Sequence, residues 1–226
     1  MGSCIGPKIV QSGLILALDA SNTLSYSGSG STIFDRMLLA DGTINGTVTF
    51  VSVGSSSYFN FATASGSNYI SSTVSQGYVD CTIVFQPDFT LSRVSNLVGL
   101  IASSTSASNG DKSMRFGNAN GTGPWQVKSA SLDANDWGNT STTYYVNGSA
   151  VANGASLNTG WNVVGAYRTN QSTFPATFAY FLGSGAFSGD ARDFQGRIAA
   201  VYLYNRQLTA AEHAQNYNAL KGRFRL

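Results

Sequence analysis

Short runs of apolar or alternating residues, each bounded by clusters of Gly, Ser and Asn, recur along the whole chain. This spacing is typical of an all-β protein in which many short strands form two stacked sheets. We therefore predict a two-sheet antiparallel jelly-roll sandwich. The runs interpreted as strands are residues 14–18, 47–53, 58–62, 69–72, 79–85, 97–101, 125–128, 143–146, 161–167, 177–182 and 196–204.

Two of these runs predict more than a strand. The dipeptide Asn147-Gly148 lies between β-formers and favours a type I′ hairpin, because both central residues of that turn need positive φ. Residues 198–204 are apolar on both faces of the predicted strand, so we expect both faces to be covered. We expect the face with Ile198, Ala200 and Tyr202 to be covered by the C-terminal helix or by another subunit, since it would otherwise be an exposed apolar patch.

Residues 207–226 are predicted to form the C-terminal helix of the chain and a basic tail. Thr209 followed by Glu212 fits a capping box, in which the threonine hydroxyl accepts a hydrogen bond from the third helical N–H. Apolar residues after Thr209 recur with helical spacing, and His213 falls among them. Gly222 is interpreted as the residue that ends the helix.

Composition limits the possible partners. The 226 residues show no break in composition, which favours a single domain over residues 1–226. Only 11% of the residues are charged and the net charge is +2, so nucleic acid is not expected as a partner. No apolar run is long enough to span a membrane, so we expect no membrane insertion, and we also expect no export signal. Cys81 lies on the inward side of a strand and is expected to be a buried free thiol.

Several segments match a known pattern, most clearly near the two ends of the chain. They are residues 13–20 (Gly-Leu-Ile-Leu-Ala-Leu-Asp-Ala), 26–30 (Tyr-Ser-Gly-Ser-Gly), 145–148 (Tyr-Val-Asn-Gly), 196–212 and 216–224. They resemble the concanavalin A-like lectin/glucanase superfamily, and within it the laminin G-like domain of tailed-bacteriophage virion proteins. Residues 35–42 and 64–69 depart from the family pattern, because they lack acidic residues found there in relatives that could meet a metal or a sugar.

The resemblance implies a lectin-like jelly roll on a virus particle, either as capsid decoration or as part of a tail or fibre. We therefore expect a non-enzymatic structural accessory protein of a tailed-phage virion, assembled in the cytoplasm of a bacterial host. Its expected partners are other phage virion proteins and copies of itself, in a homotrimer. The alternative is an adhesin that binds host-surface polysaccharide, since the fold alone does not decide the function.

Carboxylates are scarce. Glycosidases of this fold use a pair of them, and the chain contains one Glu, Glu212, which the helix cap already explains. His213 has no Ser or Cys partner that the sequence identifies, and we interpret it as a packed imidazole. We therefore expect no enzymatic activity and no cofactor.

The polar loop that contains Asp133, Asn135, Asp136 and Trp137 is the sequence candidate for carbohydrate binding. Trp137 would offer a sugar an aromatic face, and Tyr144 is included as a second ring, although aromatic residues on strands are more often core residues. The loop fits an EF-hand only in part, because Trp137 and Tyr144 stand where oxygen ligands are needed. We predict no metal; a looser calcium site at Asp133 and Asp136 is left open beside an ordinary polar turn.

The basic tail places Lys221, Arg223 and Arg225 around Phe224. It is either a solvated end or a segment that docks on an acidic surface of a virion protein or neighbouring subunit, with Phe224 as the anchor. In the second case, deletion of residues 221–226 is expected to leave the sandwich folded.

Overall fold

Two antiparallel β-sheets and one C-terminal helix form the regular structure. It is a computed structural model that describes residues 7–62, 67–74, 80–88, 98–104, 112–118, 125–127, 142–152, 154–168, 178–183 and 194–226. The strands are β1 (Leu14–Asp19), β2 (Thr32–Ile33), β3 (Gly42–Asn45), β4 (Thr49–Val51), β5 (Tyr58–Phe61), β6 (Tyr69–Val74), β7 (Asp80–Pro87), β8 (Val98–Ser104), β9 (Lys112–Asn118), β10 (Trp125–Val127), β11 (Thr142–Val146), β12 (Ser149–Val151), β13 (Asn162–Arg168), β14 (Phe178–Leu182) and β15 (Gly196–Tyr204). A 3₁₀ turn covers Gly54–Ser56, and helix α1 covers Ala210–Phe224.

The two sheets differ in strand number and in whether the helix packs on them. The first has eight strands in the order β12-β11-β13-β7-β15-β5-β4, with β1 paired to the same edge of β15 as β5. The second has seven strands in the order β10-β9-β8-β14-β6-β3-β2. Helix α1 packs on the first sheet, on the face turned away from the second sheet. The predicted antiparallel sandwich with a C-terminal helix is confirmed.

The core between the sheets is built from the inward-facing residues of both. Phe61 and Phe85 from the first sheet meet Ile33 and Ile70 from the second, and all are buried. Cys81 lies in the same core as a free thiol, as expected, and burial raises its pKa well above the usual value. No helix in the described part of the chain is long and apolar enough to cross a membrane.

The predicted hairpin joins β11 and β12. Asn147 and Gly148 have φ angles of 51° and 81°, as a type I′ turn requires. The turn also meets the helix, since a Cβ atom on Gly148 would lie 2.9 Å from a ring carbon of Tyr217. Glycine is therefore needed both for the turn and for the close approach of α1.

Strand β15 is buried on both faces, as expected. Leu203 lies in the core between the sheets, whereas Ala200 and Tyr202 lie under α1. A β-bulge in the pairing with β7, between Ile198 and Ala200, inserts an extra residue and shifts the alternation. Ile198 therefore lies in the sandwich core, and the expectation that it shares a face with Ala200 and Tyr202 is wrong.

The start of α1 has the predicted capping box. The Thr209 hydroxyl accepts a hydrogen bond from the Glu212 N–H at 3.2 Å, and the Glu212 carboxylate accepts one from the Thr209 N–H at 2.9 Å. The same carboxylate accepts a hydrogen bond of 3.0 Å from Arg206. The helix start is thus held by both the cap and an ion pair.

A buried amide fixes the middle of α1 to the sheet. The Asn216 side chain is 0% exposed; it donates hydrogen bonds of 3.0 Å to the hydroxyls of Thr82 and Tyr204 and accepts one from the Val10 N–H at 2.9 Å. Because buried polar groups are costly when unpaired, this set of bonds defines one position of the helix along the sheet.

The end of α1 differs from the prediction. The helix continues through Gly222, and Arg225 adopts the left-handed conformation that ends it, with φ of 56°. Phe224 is 5% exposed and packs against Trp161 with ring centroids 4.8 Å apart. Arg223 forms a two-bond ion pair with Asp19, each bond 2.7 Å long.

The hypothesis of a free basic tail is therefore wrong for Arg223 and Phe224, because an internal ion pair and the helix–sheet core already use these side chains. Deletion of residues 221–226 would remove part of that core instead of leaving the sandwich intact. Lys221 and Arg225 are exposed, and their contact with a virion protein or a second subunit stays a prediction.

Replacing Thr209 with Ala is expected to lower the free energy of unfolding by about 1 kcal/mol, because the cap to the Glu212 N–H is lost. Urea unfolding measures this, with Thr209→Ser as the matched control that keeps the hydroxyl. Equal stability of the Ala and Ser variants would contradict the capping role.

Replacing Phe224 with Ala is expected to cost about 3 kcal/mol, since a buried aromatic ring leaves a cavity against Trp161. The control is Lys221→Ala, an exposed change on the same helix that should stay within about 0.5 kcal/mol of the unchanged protein. If both variants unfold at the same urea concentration, the ring contributes nothing to the core.

The Arg206 guanidinium lowers the pKa of Glu212 to about 2, with further help from the cap. Because the pKa of Glu212 is lower in the folded state, its ionised carboxylate stabilises the fold at pH values above the unfolded-state pKa of about 4.3. This contribution is lost as the pH falls through the folded-state pKa. The stability difference between the unchanged protein and Glu212→Gln should therefore be largest near neutrality and shrink between about pH 4 and pH 2. Urea melts across that range test it, and a difference independent of pH would contradict it.

Candidate functional site

A groove of about 320 Å³ opens on the outer face of the first sheet. We call it the outer groove. It lies beyond the C-terminal end of α1, where Phe224 contacts Trp161 and Trp161 contacts Tyr58. Its lining residues are Asn60, Phe61, Ala62, Gln86, Pro87, Asp88, Thr159, Gly196 and Arg197.

Three adjacent strands present a row of polar side chains to this groove. Arg197 on β15 is paired directly with Asn60 on β5 and with Gln86 on β7. Side chains of directly opposed residues share a face with Cβ atoms about 5 Å apart. The neighbours of Asn60 and Gln86 along their strands, Phe59 and Phe85, point into the core, so strand alternation turns the amides outward. The row is therefore amide, guanidinium, amide, on a hydrogen-bonded support.

The floor of the groove depends on Gly196. Its φ is +141°, and a Cβ atom there would lie 2.3 Å from the Gln86 carbonyl oxygen and 2.9 Å from the Phe194 ring. Any other residue would strain the backbone and push into β7. Glycine thus allows the close approach of β15 and β7 beside the groove.

Two neighbours orient the Arg197 guanidinium. Its Nη1 donates a hydrogen bond of 3.1 Å to the Gln86 side-chain oxygen, and its Cζ lies 5.0 Å from the centre of the Tyr58 ring. Gln86 in turn donates to the Thr159 carbonyl oxygen at 3.4 Å. These contacts restrict the rotamers of an exposed arginine, which lowers the entropy that it loses on binding a ligand.

The aromatic rings beside the groove serve as supports. Tyr58 has Arg197 over its ring and meets Trp161 edge-on, with centroids 5.6 Å apart. The ring of Trp161 also contacts the ring of Phe224, with centroids 4.8 Å apart. Because protein groups already contact these rings, recognition in the outer groove must come chiefly from its polar side chains.

A second depression lies near Asp19, and its charged groups are already paired. The Asp19 carboxylate accepts hydrogen bonds from Arg223, from the Tyr202 hydroxyl at 3.1 Å and from the Ser21 N–H at 2.9 Å. Both oxygens of the carboxylate are engaged, so this depression offers a ligand little charge of its own.

His213 is packed, as expected. It is 3% exposed, stacks on Tyr145 at 3.8 Å, and places its Nε2 atom 3.2 Å from an oxygen of Asp80. Burial raises the pKa of Asp80, whose Oδ2 atom also accepts the Leu208 N–H at 2.8 Å. The pair lies between α1 and the sheet, away from the outer groove.

The sequence candidate for sugar binding is only partly within the described residues. Tyr144 is 1% exposed in the core between the sheets, because strand alternation turns it inward, so it is not available as an aromatic platform. Asp133, Asn135, Asp136 and Trp137 lie outside the described residues, and so does the looser calcium site at Asp133 and Asp136. Within the described ranges, no three His, Cys, Asp or Glu side chains come together as a metal site would need.

Sequence analysis missed the outer groove. One signal was present, since Arg197 is the only charged residue in the otherwise apolar segment 196–204. Its neighbours Asn60 and Gln86 come from distant parts of the chain, and only the strand order brings them beside it.

No protein-family model and no curated protein sequence matches the chain. Solved structures do share its fold. The Trypanosoma rangeli sialidase in complex with sialic acid has a TM-score of 0.59 at 15% identity, over 97% of this chain and 36% of the sialidase chain. The same sialidase in complex with the inhibitor DANA has a TM-score of 0.58 at 15% identity, over 93% and 33%.

A domain of an extracellular arabinanase from Geobacillus stearothermophilus, in complex with arabinotriose, is also similar, with a TM-score of 0.48 at 14% identity, over 92% of this chain and 100% of that domain. The sialidase matches establish an antiparallel β-sandwich fold for this chain. The chain spans about a third of the length of the sialidases.

The comparisons correct the expectation that the protein is not an enzyme. The sialidase chains that share the fold are enzymes. The argument from the single Glu covers only glycosidases that use two carboxylates, and glycosidases with other nucleophiles exist. The scarcity of Glu therefore does not exclude an enzyme.

Proposed function

We propose that this chain binds carbohydrate and that the outer groove is its binding site. The observation that carries the proposal is the row of Asn60, Arg197 and Gln86 across three paired strands, with Asp88 and Thr159 beside it. Sugar hydroxyls both donate and accept hydrogen bonds. Side-chain amides offer both functions, the guanidinium donates and a carboxylate accepts.

The rigidity of the support favours such a role. The polar row stands on backbone that is paired on both sides of β15, and Gln86 and Tyr58 restrict the arginine. Sites on strands hold their groups more accurately than sites on mobile loops. A small hydrophilic ligand gains affinity when its partners are already in place, because less side-chain entropy is lost on binding.

The sialidases that share the fold support a connection with carbohydrate, since one of them is described in complex with sialic acid. At 15% identity this support concerns the fold and leaves the sugar open. The proposal that the outer groove binds sugar therefore depends on the residues of the groove.

A narrower role, an accessory protein of a tailed-phage virion, is kept as a second proposal. Its support is the resemblance of residues 196–212 and 216–224 to laminin G-like virion proteins. Sugar binding would suit this role as the host-glycan adhesin. Mass spectrometry of purified particles tests the location, and light scattering tests the expected homotrimer; absence from particles would remove the virion role and leave the groove proposal unchanged.

We expect the protein to bind at least one class of oligosaccharide on a glycan array, with the dissociation constant then measured by calorimetry. Thr159→Trp places a bulky ring at the exposed rim of the groove and should weaken binding at least about tenfold, a change of about 1.4 kcal/mol. Asn218→Trp adds a similar bulk on exposed α1 and should leave the affinity unchanged.

Two results would contradict the groove proposal. One is the absence of binding to any glycan by the folded protein. The other is equal affinity of Thr159→Trp and Asn218→Trp, which would move the binding site elsewhere on the chain.

A further inference from the structure

We infer that the outer groove selects sugars that carry a carboxylate, and that the Arg197 guanidinium binds that carboxylate. This inference rests on the proposed function and names the ligand class of the same site. The arginines of the described residues differ in whether a carboxylate lies beside them.

Two other arginines of the described residues have carboxylate partners, whereas the exposed Arg36 and Arg225 have none. Arg206 pairs with Glu212, and Arg223 pairs with Asp19. Arg197 has none among the ion pairs of the described residues, and its contacts are Gln86 and Tyr58. Only 11% of the residues are charged. An oriented guanidinium that lies in a groove without a carboxylate partner is therefore a candidate group for binding an anion.

The free part of the guanidinium faces a suitable environment. Only its Nη1 is used in a hydrogen bond, so the planar fork keeps donors for both oxygens of a carboxylate. The Asn60 side-chain amide stands directly across from Arg197 and makes no hydrogen bond with the described residues. Its N–H group is available as a further donor to the same anion or to the hydroxyl next to it.

The lining of the groove also contains a negative charge. Asp88 comes directly after β7 and also lines the groove. A sugar acid has its negative charge at one position of the ring and hydroxyl donors at the others. With the ligand carboxylate at Arg197, its hydroxyls point towards Asp88; the reverse orientation would bring two carboxylates together.

Size also fits a small ligand. A groove of about 320 Å³ lies at the lower end of the usual range for ligand sites, which begins near 300 Å³. It suits one or two sugar units. A large polyanion would need a run of cations, whereas Arg197 is the one cation that lines the groove in the described residues.

The test compares matched ligands and matched variants. The ligands are oligosaccharides of hexuronic and nonulosonic acids, each with a counterpart whose carboxyl group has been reduced to an alcohol. The variants are Arg197→Gln, which keeps hydrogen bonding and removes the charge, and Arg197→Lys, which keeps the charge and loses the fork. Lys221→Gln is the control, because it removes an exposed cation that does not line the groove.

We expect at least one acid to bind about tenfold or more tighter than its reduced counterpart, with an affinity that falls as salt rises. Arg197→Gln should abolish that preference and leave the weaker binding of the reduced sugar. The acid preference of Arg197→Lys should lie between that of the unchanged protein and that of Arg197→Gln. Lys221→Gln should show the same preference as the unchanged protein.

The two proposals fail differently. If glycans bind but no acid is preferred over its reduced counterpart, the inference is overturned and the groove can still be a neutral-sugar site. An acid preference that survives in Arg197→Gln also overturns it. If no glycan binds at all, the proposed function fails, and the inference with it. The ligand comparison needs no variant, so it decides the question even if a substitution prevents folding.

Discussion

The burial of β15 on both faces is the constraint on which the rest of the structure depends. One face closes the core between the sheets, and the other would be a large apolar patch if α1 did not cover it. Apolar contact alone would allow the helix to slide along such a surface. The buried bonds of Asn216 with Thr82, Tyr204 and Val10 remove that freedom, because each alternative position would leave polar groups unpaired.

The position of the helix also decides where a site can form. Helix α1 ends at Phe224, whose ring meets Trp161, and Trp161 meets Tyr58. This chain of aromatic contacts forms the boundary between the covered part of the outer face and the outer groove. Beyond it, Arg197 near the start of β15 is exposed, whereas its neighbours Gly196 and Ile198 are buried. The same sheet face is thus covered by the helix at one end and carries the outer groove at the other.

Because few residues are charged, the partner of each charged side chain matters for its role. Where carboxylates are close, they hold the helix, as in the pairs Arg206–Glu212 and Arg223–Asp19. The basic residues at the end of the chain resembled a free docking segment, yet two positions of that segment are parts of the fold. Arg197 differs from them because its neighbours orient it without neutralising it. The outer groove therefore combines a fixed geometry with a guanidinium that has no carboxylate partner among the ion pairs of the described residues.

The sequence by itself determined the features that depend on neighbouring residues. Alternation predicted most of the strands, although not β2, β3 or β9. Asn147-Gly148 predicted the hairpin, and Thr209 with Glu212 the helix start, since each follows from local backbone geometry. Tertiary structure decided what depends on partners distant in the chain. The bulge near Ile198, the burial of Phe224 and Tyr144, and the row around Arg197 arise from which strand lies beside which. Periodicity contains no information on strand order, and for that reason the helix could be predicted whereas the site could not.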